Sequence, residues 1–432
     1  MILTLSGGAT WQRSLTLHGD KSLSHRSLIF GAMGRGVTEI SGLSSGADVM
    51  STASCLRALG AEVTIHGGGQ ASVTGWGEKG PSEPDGPLDC GNSGTSLRLL
   101  SGLIAAYPIF AILDGDASLR KRPQSRVLRP LASMGAQVMA RGGDRFAPVV
   151  LRGGNLRPYQ GAPEVASAQV KSCLLLAGLG SGTEVKLTEK ALTRDHTEMM
   201  LRGLGVPLES DGLDVHLPEG PFVWDGFTTT VPGDPSSAAF LVAAAILGQH
   251  SRVRLEGVCL NPTRIGFFKI LQRMGADLTL TVTEQRMGEP VGVIEAGSSR
   301  LNATTIEAHE VPSAIDEFPL LAVVATAAEG TTVVRGAEEL RVKESDRIGS
   351  VVGELSKFGA HISEHPDGFS VHGPSRLKGA SVECHHDHRL EMSWAVAALI
   401  AEGTTTLVNP GWASVSFPEF WDVYPGKVDR TE

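Results

Sequence analysis

The chain has 432 residues, a formal net charge of −9 at neutral pH, 41% hydrophobic and 20% charged residues, and five cysteines. This is the balance of a globular protein long enough for two domains, and its acidity excludes nucleic acid or an anionic membrane as a general partner. No apolar run has the length and flanks of a membrane span, the first residues lack a signal-peptide pattern, and the scattered cysteines contain no C-x-x-C pair. A cytoplasmic protein with reduced thiols is therefore expected. An anionic ligand would need a local concentration of Lys and Arg.

The first organised stretch is Gly19-Asp20-Lys21-Ser22-Leu23-Ser24-His25-Arg26, which leads into an apolar run that stops at Gly34 and Gly36. Small polar residues at the start and glycine at the end predict one capped helix. Its N-terminus is a natural anion site, and Lys21 and Arg26 add full charges there. A strand over 37–40 and a helix over 47–59 follow, with loops at 67–69 and 75–87. The run Gly91-Asn92-Ser93-Gly94-Thr95-Ser96-Leu97-Arg98 has a phosphate loop's glycines but not its Gly-Lys-Ser/Thr ending. The segment 115–126 puts four basic residues, Arg120, Lys121, Arg122 and Arg126, ahead of a helix over 127–134. Arginine forks match carboxylate and phosphate geometry, so this loop reads as functional.

Five further apolar, small-residue-rich helices begin near Ser93, Ala168, Pro235, Asp316 and His388. Glycines 182, 248, 330 and 403 mark most of their ends, and a strand-like segment follows each. A second element then closes on a hydrophobic-Gly-small signature, at Gly60, Gly135, Gly205, Gly275 and Gly359, spaced 75, 70, 70 and 84 residues apart. The chain thus reads as six small α/β repeats. The Gly178, Gly180 and Gly182 series ends a helix and is no dinucleotide loop. His196 reads as a surface or capping residue, and a domain crossover is expected at 225–232.

Helices over 238–247 and 320–328 are apolar on every face and should be buried. Strands such as 278–282 alternate, so their sheets should have one wet face. Buried helices inside outward sheets invert the usual α/β arrangement. Three repeats make one domain and six make two. Parallel helices would gather their N-termini at one end of each domain, and two facing ends would form a cleft rich in anion sites.

In chain order, GDKSLSHRSL (19–28), GNSGTSLR (91–98), GDASLRKRPQSR (115–126), SAQVKSCLLLAGL (167–179), DEFPLLA (316–322), RVKESDRI (341–348) and DHRLEMS (387–393) resemble the 5-enolpyruvylshikimate-3-phosphate synthase family of enolpyruvyl transferases. The resemblance implies an α+β, inside-out α/β prism. One domain would be 1–18 plus 230–432 and the other 19–229, with the active site in the cleft between them. It implies transfer of the enolpyruvyl group of phosphoenolpyruvate to the 5-hydroxyl of shikimate 3-phosphate, by addition and elimination, with no cofactor and no metal. Shikimate 3-phosphate would meet Lys21, Ser22, Arg26, Ser167, Ala168, Gln169, Arg194, Asp316 and Lys343. Phosphoenolpyruvate would meet Lys21, Gly94, Arg122, Gln169, Arg347 and Arg389. Asp316 would be the base on the 5-hydroxyl, and Glu344 with Lys21 would handle the methylene proton. A monomer is expected.

One class of the family carries a lysine in the segment where this chain has Val415. The Ser167-Ala168-Gln169-x-Lys171, Arg194-x-His196-x-Glu198 and Asn261-x-x-Arg264 patterns resemble a second class that lacks it. A sister transferase acting on UDP-N-acetylglucosamine would favour Asn in place of Ser22 and a cysteine acid within 117–122, and both are missing. A non-catalytic anion-binding protein of the same fold is the other alternative; Asp316, Glu344 and Lys21 together argue against it. The histidines over 385–388 are too close in sequence to converge on one ion.

Overall fold

The computed structural model describes residues 2–8 and 10–431. The chain divides into two compact units. The first holds Met1–Leu17, Gly233–Glu284 and Pro290–Glu432; the second holds His18–Pro232 and Gln285–Glu289. Segment 285–289 is the turn between strands Asp277–Arg286 and Glu289–Gly297. Each unit is built around three buried helices with three sheets outside them, and further helices connect the strands.

The second unit's central buried helices are α1 (Lys21–Met33), α2 (Gly94–Ala105) and α3 (Ala168–Ser181). The first unit's are α4 (Pro235–Leu247), α5 (Phe318–Ala325) and α6 (His388–Ile400). Their burial follows composition. Every residue of α5 is buried, as is every residue of α4 but the last. The strands bury alternate residues, as along Phe146–Arg152, so the sheets carry the solvent-facing side.

All six sheets share one plan. A short edge strand runs parallel to a second strand, and two antiparallel strands complete the set. In the second unit, Leu88–Asp89 runs beside Phe110–Asp114, which pairs with Phe146–Arg152 and then Gln137–Ala140. The glycine signature explains the connection. Gly60, Gly135, Gly205, Gly275 and Gly359 all have φ between 83° and 110°. In each, the N–H of the next residue reaches back to the carbonyl five residues earlier, from Ala61 to Leu56 through to Ala360 to Leu355, at 3.0 to 3.3 Å. This is one left-handed helix cap used five times, and only glycine adopts that backbone without steric cost. The sixth repeat has no such copy because its antiparallel strands come from elsewhere. Ile2–Ser6 and Lys427–Thr431 complete the sheet of Ser381–Glu383 and Thr404–Val408.

Three local expectations change. Segment 75–87 is not all loop: strand Gln70–Trp76 runs through Gly75, where a Cβ would lie 2.2 Å from the Gly34 carbonyl oxygen. That glycine serves close approach rather than a break. α5 ends at Ala325, and Gly330 lies inside strand Ala328–Val334. The alternation over 278–282 fades: Leu278 is buried, but Val282, on an edge strand, is 56% exposed.

Gly102 shows how tightly α2 packs on α3, since a Cβ there would fall 2.0 Å from the Cys173 carbonyl oxygen. Alanine in a helix interior normally stabilises over glycine by about 1 kcal/mol. Gly102→Ala should instead lower stability by about 1–3 kcal/mol. Gly353→Ala, on an exposed helix face with nothing within 4 Å of the new Cβ, should raise it. Urea melts of both variants check the opposite signs.

Candidate active site

In the second unit the N-termini of α1, α2 and α3 are tied together by side chains. Asp20 caps α1, accepting the Leu23 N–H at 2.7 Å. Ser93 caps α2, accepting the Ser96 N–H at 3.0 Å. A chain of hydroxyls then joins α1 to α2: His25 Nδ1 lies 2.7 Å from Thr52 Oγ1, which lies 2.6 Å from Ser96 Oγ. Lys21 Nζ donates to Asp48 Oδ2 at 3.0 Å. Arg26 joins α1 to α3. Its Nε donates to Thr197 Oγ1 at 2.8 Å, its Nη2 to Ser172 Oγ at 2.7 Å, and its Nη1 to the Ser22 carbonyl at 3.0 Å. Burial lowers its pKa to about 10; Glu198, Asp20 and Glu289 pull against that, and the nearby cation Arg194 adds to it.

α2 meets α3 through Gln169. Its amide nitrogen donates to Thr95 Oγ1 at 3.0 Å, and its oxygen accepts from Arg98 Nη1. Gly91, with φ of 55°, turns the chain into α2. Gly94 opens the helix, and a Cβ there would lie 3.2 Å from Arg98 Nη1 and 3.6 Å from Arg122 Nη1. Two guanidiniums therefore flank a helix start with free N–H groups, a site suited to an anion. Ser167 and Ala168, at the start of α3, are half-buried. Lys121 and Arg120 of the basic loop are exposed, whereas Arg122 turns inward and donates to Asn92 Oδ1 at 2.6 Å.

His196 is not a surface residue. It is fully buried, with Nδ1 2.7 Å from Glu289 Oε1. Lys171 is buried between Glu189 and Glu198, 2.7 Å from each. An ammonium inside a packed unit needs such partners.

The first unit gathers the other candidates around Arg347, which is 2% exposed. Asp387, the cap of α6, accepts its Nε at 2.8 Å and its Nη2 at 3.2 Å. Glu344 Oε2 accepts Nη2 at 2.8 Å, and Asp316 Oδ1 lies 3.4 Å from Nη1. Burial alone would lower this arginine's pKa; Asp387, Glu344 and Asp316 reverse that and raise it. Lys343 Nζ lies 4.0 Å from Asp316. Burial lowers its pKa despite Asp316, leaving a lysine that loses its proton more readily than usual. Arg389 lies 3.6 Å from Glu317, which also accepts Ser236 Oγ at 2.5 Å. The starts of α4, α5 and α6 thus meet in one charged network. Asp387 has no side-chain exposure, while Asp316 and Glu344 keep 19% and 16%.

The histidines over 385–388 diverge: His385 bonds Glu354 at 3.0 Å and His386 packs edge-on against Trp412. The segment with Val415 is held by Glu391, which accepts the N–H groups of Gly411, Trp412 and Ala413. Sequence reasoning missed Arg98, Asp48, Glu317 and Asp387 as members of these clusters. Arg98 had a signal, since it lies one helical turn after Gly94 on the same face. Asp48, from another helix, had none.

A model of the EPSP synthase (3-phosphoshikimate 1-carboxyvinyltransferase) family matches residues 5–424. A 3-phosphoshikimate 1-carboxyvinyltransferase of Chloroflexus aurantiacus is 46% identical over 422 residues, covering 97% of each chain. That of Gloeothece citriformis is 47% identical over 415 residues, covering 96% of this chain and 93% of its own. Among solved structures, EPSP synthase from Acinetobacter baumannii matches with a TM-score of 0.88 at 39% identity, covering 99% of this chain and 100% of that one. The enolpyruvyl transferase NikO from Streptomyces tendae shares the fold, with a TM-score of 0.79 at 19% identity over 100% of this chain and 98% of its own.

His25 supplies a pH test. Burial, then Lys21 and Arg26, hold its pKa well below 6.5. The unfolded histidine takes up a proton as pH falls through 6.5 and the folded one does not. Its contribution is therefore intact above that pH and lost below it. His25→Gln should lose less stability than the unaltered protein between pH 7 and 5, by up to about 1.4 kcal/mol per pH unit. Parallel losses in denaturant melts would contradict this.

Proposed function

The chain belongs to the EPSP synthase family, and from that membership we infer that it is a 3-phosphoshikimate 1-carboxyvinyltransferase. It transfers the enolpyruvyl group of phosphoenolpyruvate to the 5-hydroxyl of shikimate 3-phosphate and releases phosphate, a step of aromatic amino acid biosynthesis. The residue roles below are our proposal.

The observation that carries the roles is the sorting of three carboxylates around Arg347. Asp387, with no exposure, is the one committed to the guanidinium through two contacts. Asp316 and Glu344, both partly exposed, are the pair left to exchange protons. Asp316 takes the proton of the 5-hydroxyl as it attacks C2 of phosphoenolpyruvate. Glu344, with Lys21, delivers a proton to the methylene and recovers one from the resulting methyl as phosphate leaves. Lys343, 4.0 Å from Asp316, is its neighbouring cation. The cations then have distinct partners. Lys21, Gly94 through its N–H, Arg122, Gln169, Arg347 and Arg389 hold phosphoenolpyruvate. Lys21, Ser22, Arg26, Ser167, Ala168, Gln169, Arg194, Asp316 and Lys343 hold shikimate 3-phosphate. Arg194 is near enough to disfavour the charge of Arg26, so an anion bound by both would offset that repulsion.

We further propose a monomer, and one working in the cytoplasm, since its five cysteines are all buried and none is in a disulfide. No helix of the described residues is long and apolar enough to cross a membrane.

Phosphate release from shikimate 3-phosphate plus phosphoenolpyruvate tests the reaction, beside a parallel mixture with UDP-N-acetylglucosamine. Release should require shikimate 3-phosphate. Asp316→Asn should cut kcat by about 10²–10⁴ while shikimate 3-phosphate still binds. Release only with the sugar nucleotide would assign the chain to the sister reaction.

A further inference from the structure

Gln124 lies between the two arginines that flank Gly94, and the roles proposed above do not use it. It is wholly buried. Its backbone is fixed at both ends: its N–H donates to the Arg145 carbonyl at 2.7 Å, and its carbonyl accepts the N–H groups of Val127 and Leu128. Its side chain is fixed as well. Oε1 accepts from Arg98 Nε at 3.1 Å, and Nε2 donates to the Arg122 carbonyl at 3.1 Å. One amide thereby holds two guanidinium-bearing residues at once.

Each arginine is then aimed at the start of α2. Arg98, tied at Nε, donates through Nη2 to the Pro123 carbonyl at 3.3 Å and through Nη1 to Gln169. Arg122 donates through Nη2 to Asn92 and, at 3.2 Å, to Ser118 Oγ. Both Nη1 atoms lie within 3.6 Å of the Cβ position of Gly94. The choice of side chain has a chemical reason. A carboxylate at 124 would hold Arg98 equally well but cancel part of its charge. An apolar side chain would leave the charge and lose both hydrogen bonds. A neutral amide has a donor and an acceptor, so it fixes direction and leaves the positive field intact.

We propose that Gln124 is a positioning residue for phosphoenolpyruvate: it orients Arg98 and Arg122 around the N–H of Gly94 without neutralising them. The proposal rests on the assignment of Gly94 and Arg122 to phosphoenolpyruvate made above.

Two variants of nearly the same size test it. Gln124→Met removes both hydrogen bonds. Gln124→Glu keeps the acceptor for Arg98, adds a negative charge and loses the donor to the Arg122 carbonyl. Steady-state rates are read with each substrate varied in turn, and melting temperatures are recorded alongside. Both variants should raise the KM for phosphoenolpyruvate by about tenfold, Gln124→Glu the more, with the KM for shikimate 3-phosphate within about twofold of the unaltered enzyme. If Gln124→Met does not fold, Gln124→Glu alone decides. Unaltered phosphoenolpyruvate KM in active Gln124→Glu would overturn the proposal, as would an equal rise in both KM values. Failure of the underlying reading would look different, because the unaltered protein would then turn over neither substrate.

Discussion

A helix that is apolar on every face offers polar chemistry only at its ends. In each unit three buried helices, largely apolar beyond their first two turns, form the interior, and their sheets take the solvent. The N-terminal ends carry unpaired N–H groups and partial positive charge. Side-chain contacts bring the three N-termini of each unit together: Thr52 and Ser96, Gln169 and Thr95, and Arg26 and Ser172 in the second unit; Ser236 and Glu317, and Arg389 and Glu317, in the first. Each helix terminus contributes about 0.3–1 kcal/mol toward an anion, so full charges from Lys and Arg must supply most of the attraction. An acidic chain thereby concentrates cations at the starts of its buried helices.

The cations are held in two different ways. Arg347 is surrounded by carboxylates, and its charge is stabilised beyond the ordinary arginine range. Its partners Asp387, Glu344 and Asp316 are all acids, two of which retain exposure. Arg26 is held by two hydroxyls and a carbonyl, and burial brings its pKa down to about 10. A guanidinium held by neutral groups leaves more of its charge for a ligand, whereas one held by acids also fixes those acids in place. Lys171, between Glu189 and Glu198, follows the second pattern inside the packed second unit, where it joins α3 to helix His196–Gly203.

Most of the architecture was legible because it is periodic. The all-apolar helices and the recurring glycine are one-dimensional signals, and each maps onto one physical requirement, burial or a left-handed cap. What was not legible depends on partners distant in sequence. Gly75 looks like a breaker until the Gly34 carbonyl is seen against it. His196 looks polar until Glu289, 93 residues away, meets it in the interior. The missing sixth glycine signature is accounted for only by the first strand of the chain, Ile2–Ser6, pairing with Thr404–Val408. The candidate residues lay within motifs, and most of them stand near helix starts. Their supports, Asp48, Glu317 and Gln124, carry no pattern of their own.

In the proposed reaction a proton is added to the methylene of phosphoenolpyruvate and a proton is later lost from the same carbon. Running the reaction in deuterium oxide and examining the product by mass spectrometry tests it directly. Addition and elimination through a methyl-bearing intermediate places solvent deuterium in the vinyl methylene of the product, and Glu344→Gln slows its appearance. A product formed at full rate with no deuterium in that methylene would contradict the account.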